Sequence, residues 1–322
     1  MSDREFDRIA RLARRFRGPA PPALGIGDDA AVLPIVAGPL AITVDACVEG
    51  VHFRRGWASL DRLARRAVEA AVSDLAAMGA DPAAPGGGVL FALELPAALD
   101  ASSFDAIIEG LALGAEAHDA PVLGGNLTRS ASDAITITTT ALGVCDRAST
   151  RSGAKPGDAV FVTGFVGAAR LGLEALLASR AEEPLLRPFV ERWLSVRARV
   201  REGLALRSIA TAAIDASDGL AQDASHLCER SGVAIVLELE SLPLAPAHRE
   251  AAEALSLDPT AVALAGGEEY ELIFTAPPQA RVSFATRIGF VREGCALFVR
   301  DARGERAAHS QGWDHFAPSR DT

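Results

Sequence analysis

The chain has almost no lysine: Lys155 is the only lysine among 322 residues, so the remaining Lys+Arg total is arginine. Together with the abundant alanine, this favours a genomic composition bias over a functional cause. Because Lys155 stands between Ala154 and Pro156, the chain has no Gly-x-x-x-x-Gly-Lys-Ser/Thr motif, which excludes a P-loop. Any nucleotide chemistry therefore needs another scaffold.

Cysteine is scarce and widely spaced, at Cys47, Cys145, Cys228 and Cys295. No Cys-x-x-Cys pair occurs, so neither a zinc site nor a disulfide framework is indicated, and a reducing compartment fits best. Residues 1–17 carry many charges and lack the apolar stretch of a signal peptide. No later segment reaches the roughly 18 uncharged residues of a membrane span. These absences predict a cytoplasmic protein without a membrane partner.

The balance of charge is acidic, with 42 Asp+Glu against 32 Lys+Arg and a formal net charge of −10. An acidic chain is a poor ligand for nucleic acids and for anionic membranes. An anionic substrate would then need local neutralisation by metal ions or arginines. The length of 322 residues, with 49% hydrophobic residues, allows roughly two packed domains.

Strand and helix patterns alternate in both halves, which predicts a mixed α/β fold. Residues 40–45 alternate with period two and read as a strand whose apolar positions can face a core and which ends at Asp45. Residues 188–208 read as helical. The segment 146–158 concentrates Ser, Gly, Pro and charge between two apolar strands, and it predicts a boundary between domains at 1–146 and 147–322.

Aspartates stand at the ends of several apolar runs, at Asp28-Asp29, Asp45, Asp74, Asp215 and Asp218. Carboxylates that follow a strand or open a turn are held at the rim of a sheet, where several can converge on one cation. Mg²⁺ takes hard oxygen ligands and usually shares them with a substrate phosphate. The pattern therefore favours phosphate chemistry.

Other interpretations of these acidic residues remain open. Asp28 and Asp29 can simply cap a turn. Ser217 or Asp218 can act as the N-cap of the following helix, and a helix N-terminus also attracts phosphate. The run Gly25-x-Gly27-x-x-Ala30 resembles a dinucleotide fingerprint, but a proline-rich loop precedes it and strand residues follow, which argues against that fold.

Three further features have two interpretations each. Gly124-Gly125 lets backbone amides approach a nucleotide or makes a tight turn after Val122-Leu123. His52 is a hydrogen-bonded surface residue or a site residue. Arg151 is a solvated loop charge or a phosphate clamp. In the run 266–271, three carboxylates beside a strand would repel one another unless a cation or donor faces them.

Seven motifs occur in order over nearly the whole chain and together resemble thiamine-monophosphate kinase. They are Gly27-Asp28-Asp29-Ala-Ala, Thr43-Val-Asp45 with Glu49-Gly-Val-His52-Phe53, Ser73-Asp74-Leu-Ala-Ala-Met-Gly-Ala, Thr150-Arg151-Ser-Gly-Ala-Lys-Pro-Gly-Asp158, Ile214-Asp215-Ala-Ser217-Asp218-Gly-Leu, Gly266-Gly-Glu268-Glu-Tyr-Glu-Leu272 and Gly312-Trp313-Asp-His-Phe316. The run that begins at Ser73-Asp74 and the run that begins at Thr150-Arg151 are long and unusual, so the resemblance is specific.

The resemblance implies the two-domain α/β fold shared with aminoimidazole ribonucleotide synthetase, usually dimeric through the N-terminal sheets. It implies a homodimer that binds ATP and several Mg²⁺ ions in a cleft. The implied reaction is ATP-dependent phosphorylation of thiamine monophosphate to thiamine diphosphate. A substrate phosphate oxygen is already anionic and needs no general base, so catalysis reduces to positioning and charge neutralisation.

The resemblance also implies roles for individual residues. Magnesium would be held by Asp28, Asp29, Thr43, Asp45, Asp74, Asn126, Asp215 and Asp218. Of these, Asp45, Asp74, Asp215 and Asp218 would be the catalytic carboxylates. ATP would be contacted by Gly124, Gly125, Asn126, Arg151 and Ser217. The thiamine end would be contacted by His52, Glu268 and Trp313.

The sequence also departs from the family pattern. Asn126 stands where the family usually has Asp, Ala71 replaces an Asn, and Glu269 replaces the Asp of Gly-Gly-Glu-Asp. An Arg-Pro-x-Pro-Arg segment appears as Ser195-Val-Arg-Ala-Arg199. Two alternatives follow: a diverged kinase for another acceptor, or a nucleotide- or thiamine-phosphate-binding protein with little turnover.

Overall fold

The structure is a computed structural model that describes residues 5–16, 18, 26, 30, 32–33 and 38–308. The chain divides into two compact units, Met1–Ala148 with Leu194–Arg207, and Ser149–Trp193 with Ser208–Thr322. The sequence predicted two contiguous domains with a boundary after residue 146. The division falls after Ala148, and the return of Leu194–Arg207 to the first unit was not predicted.

The first unit combines four helices and a four-stranded sheet among the described residues. Its elements are α1 (Glu5–Arg15), β1 (Leu40–Val48), a 3₁₀ turn (Arg55–Trp57), α2 (Leu60–Ala77), β2 (Gly88–Leu95), α3 (Ala101–Glu116), β3 (Val122–Arg129), β4 (Thr136–Val144) and α6 (Val200–Leu206). The strand order is β1-β4-β2-β3, in which only β2 and β3 are parallel.

Strand β1 has one face toward the helices and one toward solvent. Ile42 and Val44 are 61% and 62% exposed, whereas the alternate residues Thr43 and Asp45 are half-buried. Successive side chains of a strand point to opposite faces. Thr43 and Asp45 therefore share the inner face. The expectation that the apolar positions face the core and that the strand ends at Asp45 is wrong, because Ile42 and Val44 face outward and β1 continues to Val48.

The segment that returns to the first unit packs against helix α2. A Cβ at Gly203 would lie 2.0 Å from the Ala76 carbonyl oxygen, so only glycine permits this approach of α6. The Ala198 amide donates to Glu69 Oε2 at 2.9 Å, and Arg207 Nε donates to the Gly79 carbonyl at 2.6 Å. These contacts attach the segment to the first unit.

The second unit surrounds a seven-stranded sheet with helices. Its elements are β5 (Ala159–Thr163), α4 (Ala168–Leu177), α5 (Arg187–Leu194), β6 (Ala212–Asp215), α7 (Leu220–Ser231), β7 (Ala234–Glu238), a 3₁₀ turn (Leu239–Ser241), α8 (His248–Ala254), α9 (Pro259–Ala265), β8 (Leu272–Ala276), β9 (Ala285–Arg292), β10 (Leu297–Asp301) and β11 (Gly304–Ala307). The strand order is β11-β10-β7-β9-β5-β8-β6.

The central strands of this sheet are apolar because they are covered on both sides. One buried cluster includes Val160, Ile214, Leu227 and Ile273. Elsewhere in the sheet Phe161 stacks on Phe274, with ring centroids 5.2 Å apart. The mixed α/β prediction is confirmed, and β6 ends at Asp215, so this carboxylate lies at the end of a strand.

Two local predictions were wrong. Gly124 and Gly125 lie within strand β3 rather than in a tight turn, because a Cβ at Gly125 would meet the Phe91 carbonyl oxygen of the paired strand at 2.0 Å. The predicted helix over residues 188–208 is interrupted between α5 and α6, where the chain passes from one unit to the other.

None of the described helices combines the length and apolar character needed to cross a membrane.

Candidate active site

The first half-site is an acidic pair, Asp45 and Asp74, in the first unit. Asp45 comes from β1, whereas Asp74 lies in the last turns of α2 rather than at the rim of the sheet. Thr43 Oγ1 donates to Asp74 Oδ2 at 2.5 Å and joins the two elements. A carboxylate near a helix C-terminus is electrostatically unfavourable, so Asp74 occupies a position better suited to binding than to stability.

The two carboxylates repel each other. The pKa of Asp45 is raised, first by burial and then by the charge of Asp74, while the Ala46 amide, His52 and Arg66 oppose the shift. A cation or a hydrogen-bond donor at this position would relieve the repulsion. The acidic pair therefore fits the oxygen-ligand chemistry of Mg²⁺.

His52 has a defined local role beside the acidic pair. The Val48 amide donates to His52 Nδ1 at 3.0 Å, so in the neutral ring the proton is on Nε2. This bond holds the ring at the end of β1. It agrees with the interpretation as a hydrogen-bonded residue and leaves the predicted contact with thiamine as a prediction.

Strand β3 carries the other predicted residues of this unit. Gly124 and Gly125 pair with Leu90 and Phe91, and Asn126 pairs with Ala92. Asn126 is exposed, so its side-chain amide oxygen is accessible to a ligand. Asp28 and Asp29, predicted to bind magnesium, lie outside the described residues.

The second half-site is an acidic loop, residues 215–219, together with Asp223 of α7. Asp215 is buried and Ser217 and Asp218 are half-buried. The predicted N-cap role of Ser217 or Asp218 is wrong: the residue preceding α7 is Gly219, and no side chain caps the helix there. Instead, Asp223 Oδ2 accepts the amides of Asp218 and Gly219, each at 3.1 Å.

Asp223 was missed by the sequence analysis. Burial is the main cause that raises its pKa to about 8, followed by the charges of Asp215 and Asp218, while the two loop amides lower it. Its signal in the sequence is weak, since an acidic residue in the first turn of a helix is common. Its contacts show that it holds the acidic loop closed from within α7.

Among the described residues, no three His, Cys, Asp or Glu side chains converge into a metal-binding group. Mg²⁺ usually keeps several waters and takes only one or two carboxylates plus substrate phosphates. Each acidic half-site therefore fits a metal that is completed by phosphate oxygens, rather than a cage built from protein alone.

The loop 266–271 is paired with the acidic loop. The Glu268 amide donates to the Ser217 carbonyl at 2.7 Å, the Tyr270 amide to the Ala216 carbonyl at 2.9 Å, and the Ala216 amide to the Glu271 carbonyl at 2.7 Å. A Cβ at Gly267 would lie 2.5 Å from the Ser217 oxygen. Glu268 is thereby held next to Ser217 and Asp218.

The three carboxylates of this loop each have a separate donor. Glu271 bonds Arg192 and accepts Thr163 Oγ1 at 2.6 Å. Glu269 Oε1 accepts the Ala169 amide at the start of α4 at 2.7 Å, and Trp193 Nε1 donates to Glu268 Oε2 at 2.7 Å. The expectation that donors or cations face these groups is thus correct.

Arg151 and Trp313 are the remaining residues predicted to contact a ligand. Arg151 is exposed in the segment before β5, where its carbonyl accepts Ser231 Oγ at 3.1 Å, and its predicted contact with phosphate stays a prediction. Trp313 lies outside the described residues.

The sheet of the first unit and the two acidic half-sites agree with one protein class. Residues 27–145 match the family model of the AIR synthase related protein, N-terminal domain. The chain thus contains an AIR synthase related N-terminal domain over these residues. It is also 36% identical over 294 residues to the thiamine-monophosphate kinase of Aquifex aeolicus (strain VF5), covering 90% of this chain and 92% of the relative.

Two further comparisons agree. The thiamine-monophosphate kinase of Salmonella typhimurium (strain LT2) is 39% identical over 298 residues, covering 88% of this chain and 86% of the relative. The solved complex of AaThiL with AMPPCP and TMP is 34% identical, covers 97% of each chain and superposes with a TM-score of 0.80. The chain belongs to the thiamine-monophosphate kinase family.

Proposed function

We propose that this protein transfers the γ-phosphoryl group of ATP to the phosphate of thiamine monophosphate and so makes thiamine diphosphate. The observation that carries the proposal is the identity of 36% over 90% of the chain with a thiamine-monophosphate kinase. The solved relative in complex with AMPPCP and TMP supports both substrates. The two acidic half-sites supply groups suited to this chemistry.

The acceptor phosphate oxygen is anionic before it attacks, so the reaction needs no residue to remove a proton. The protein must instead orient two anions and offset their repulsion. Thr43 fixes the Asp74 carboxylate, and Asp223 fixes the backbone of Asp218. These bonds hold the acidic groups in place before substrates bind, which lowers the cost of reorganisation.

We assign the magnesium ligands to Asp28, Asp29, Thr43, Asp45, Asp74, Asn126, Asp215 and Asp218. Bound Mg²⁺ would neutralise phosphate charge and orient the triphosphate. Gly124, Gly125, Asn126, Arg151 and Ser217 would contact ATP. His52, Glu268 and Trp313 would contact the thiamine group, with Trp313 offering an aromatic face to a cationic ring.

The test is an assay of purified protein with ATP, Mg²⁺ and thiamine monophosphate, in which thiamine diphosphate is measured by chromatography. Wild-type protein should form it, and Asp45→Asn and Asp74→Asn should not. Turnover unaffected by both changes would exclude the proposed site. Turnover with other phosphorylated acceptors but not with thiamine monophosphate would favour a diverged kinase.

We also propose a cytoplasmic homodimer that forms through the N-terminal sheet. Ile42 and Val44 on the outer face of β1 are 61% and 62% exposed, and such β-branched side chains are suited to burial between sheets. Light scattering should show that Ile42→Glu with Val44→Glu converts dimers to monomers. Leu177→Glu, at an exposed leucine of the second unit, should leave the mass unchanged.

The free state of Cys47, Cys145, Cys228 and Cys295 supports the proposed location, since none of them is paired in a disulfide.

A further inference from the structure

Glu268 has an unusual backbone conformation. Its φ is +64°, and that of Tyr270 is +53°, both in the left-handed region that costs energy for residues other than glycine. Such conformations persist where surrounding contacts over-determine them, and they are frequent at functional sites. Here the amides of both residues donate to carbonyls of the acidic loop. These bonds fix the backbone position from which the Glu268 side chain extends.

The Glu268 side chain is held by a second contact. Trp193 Nε1 donates to Glu268 Oε2 at 2.7 Å. Trp193 is completely buried, whereas Glu268 is only half-buried, so the bond joins a rigid interior donor to a carboxylate that solvent reaches. A tryptophan has only two side-chain torsions and therefore loses little entropy when it fixes a partner.

The helix that carries Trp193 is itself anchored. Arg192, its neighbour on α5, bonds the fully buried Glu271 of the same loop. A Cβ at Gly172 of α4 would lie 2.1 Å from the Phe189 carbonyl, so α4 and α5 are in direct backbone contact. The position of the indole N–H is thus set by packing that does not depend on Glu268.

We propose that Trp193 is a positioning residue: its indole N–H fixes the Glu268 carboxylate in the orientation that recognises the thiamine group of the substrate. This inference rests on the proposed function, in which Glu268 contacts thiamine. Trp193 does not touch the substrate and acts only through Glu268. Its loss should therefore weaken substrate binding and leave the phosphoryl transfer step largely intact.

The experiment compares Trp193→Phe, Glu268→Ala and the double variant with wild-type protein. A hydrogen bond to a charged group contributes about 1.5–3 kcal/mol, so Trp193→Phe should raise the KM for thiamine monophosphate at least about tenfold. The KM for ATP and kcat should change less than about twofold. In the Glu268→Ala background, Trp193→Phe should raise the KM for thiamine monophosphate by less than about a further twofold. Such non-additivity indicates that two residues act together.

Thr211→Val is the matched control. Thr211 Oγ1 donates to Asp158 Oδ2 at 2.7 Å in the same unit, so the variant also loses a hydrogen bond but does not affect Glu268. Its KM for thiamine monophosphate should equal that of wild-type. Glu268→Asp is a second variant that keeps Trp193: its shorter side chain loses the indole bond, and its KM should rise as in Trp193→Phe.

Several results would overturn the inference: an unchanged KM in Trp193→Phe or in Glu268→Asp, an equal rise in Thr211→Val, or effects that multiply in the double variant. Calorimetry of thiamine monophosphate binding without ATP separates this inference from the proposed function. Binding that is weakened by Trp193→Phe, with no thiamine diphosphate formed by wild-type, would reject the kinase and support the positioning role. Absence of binding by wild-type would reject both.

Discussion

The two acidic half-sites satisfy their carboxylates in different ways. In the first unit, Asp74 accepts the Thr43 hydroxyl and Asp45 accepts the Ala46 amide, while burial and then the charge of Asp74 raise the pKa of Asp45. In the second unit, the buried Asp223 accepts two backbone amides and faces two further aspartates. Repulsion thus persists within the acidic pair, whereas Asp223 ties two backbone amides of the acidic loop to α7.

The comparison teaches that an acidic residue near a site can serve binding or stability, and that its hydrogen-bond partners distinguish the two. A carboxylate that accepts backbone amides replaces bonds the folded chain would otherwise lack. A carboxylate beside another carboxylate costs stability until a cation arrives. Substitutions in the acidic pair should therefore lower activity without lowering stability. Substitution of Asp223 should instead lower stability.

The largest expected effect is the loss of activity in Asp74→Asn. Because the variant removes a charge proposed to stabilise the transferred phosphoryl group, kcat/KM should fall by more than about a hundredfold. The thermal midpoint should stay equal or rise, because repulsion with Asp45 is removed. Steady-state kinetics and calorimetry measure both quantities.

Asp61→Asn is the control for Asp74→Asn, since Asp61 lies in the first turn of the same helix. It should keep wild-type kinetics and lose a few tenths of a kcal/mol through the helix dipole. Equal losses of activity in the two variants would show that the acidic pair has no special role.

The second effect is a loss of stability in Asp223→Ala. The substitution leaves the buried amides of Asp218 and Gly219 without their acceptor, which should cost about 2–3 kcal/mol in the free energy of unfolding. Asp223→Asn keeps an acceptor oxygen and, since the pKa of Asp223 is about 8, resembles the protonated side chain; it should lose much less. Denaturant unfolding measures both, and equal losses would contradict the role of Asp223 in holding the acidic loop.

The third effect is a pH dependence of stability that Glu269→Gln should reduce. Burial is the main cause that raises the pKa of Glu269 from 4.5 to about 8. Between these values the folded chain keeps a proton that the unfolded chain has lost, so the free energy of unfolding falls as the pH rises. Below the lower value this penalty is absent.

Gln keeps an acceptor for the Ala169 amide and does not ionise. The fall in stability between pH 5 and pH 8 should therefore be smaller in the variant by about 3 kcal/mol, or roughly 6–12 °C in the thermal midpoint. If the thermal midpoints of wild-type and variant change with pH in the same way between pH 5 and pH 8, Glu269 does not titrate in this range.

The smallest effect concerns Asn126, which stands on β3 where the family usually has Asp. Asn126→Asp would add an anionic oxygen to the first unit and should lower the half-saturating magnesium concentration by about threefold, since charge is a main determinant of affinity for hard cations. Titration of activity with magnesium measures this change. A higher requirement for magnesium in the variant would count against a ligand role for Asn126.

Local patterns predicted much of the fold because they report local physics. The alternation of residues 40–45 predicted the strand but assigned its faces wrongly, because the apolar positions Ile42 and Val44 are exposed rather than buried in a core. The glycines at 124 and 125 were misleading, because both lie within a strand and Gly125 is required by the carbonyl of Phe91 on another strand. The helix predicted over 188–208 was too long, because periodicity carries no information about where the chain changes units.

The candidate site was predicted in part. The motifs singled out the acidic residues, whose roles stay predictions, and the structure brings Asp45 and Asp74 close enough to interact. Asp223, Arg192 and Trp193 were missed because their sequence signals are those of ordinary helices. Their roles arise from partners that are distant along the chain, such as Glu268, which lies 75 positions from Trp193.

By itself, the sequence determined the alternation of strands and helices, the acidic character and the motifs that indicate phosphate chemistry. These properties follow from side-chain chemistry and from periods of two and 3.6 residues. Only the tertiary structure decided which carboxylates repel, which accept backbone amides and which donor fixes Glu268. Burial and the approach of distant residues set these energies, and neither is encoded in a local pattern.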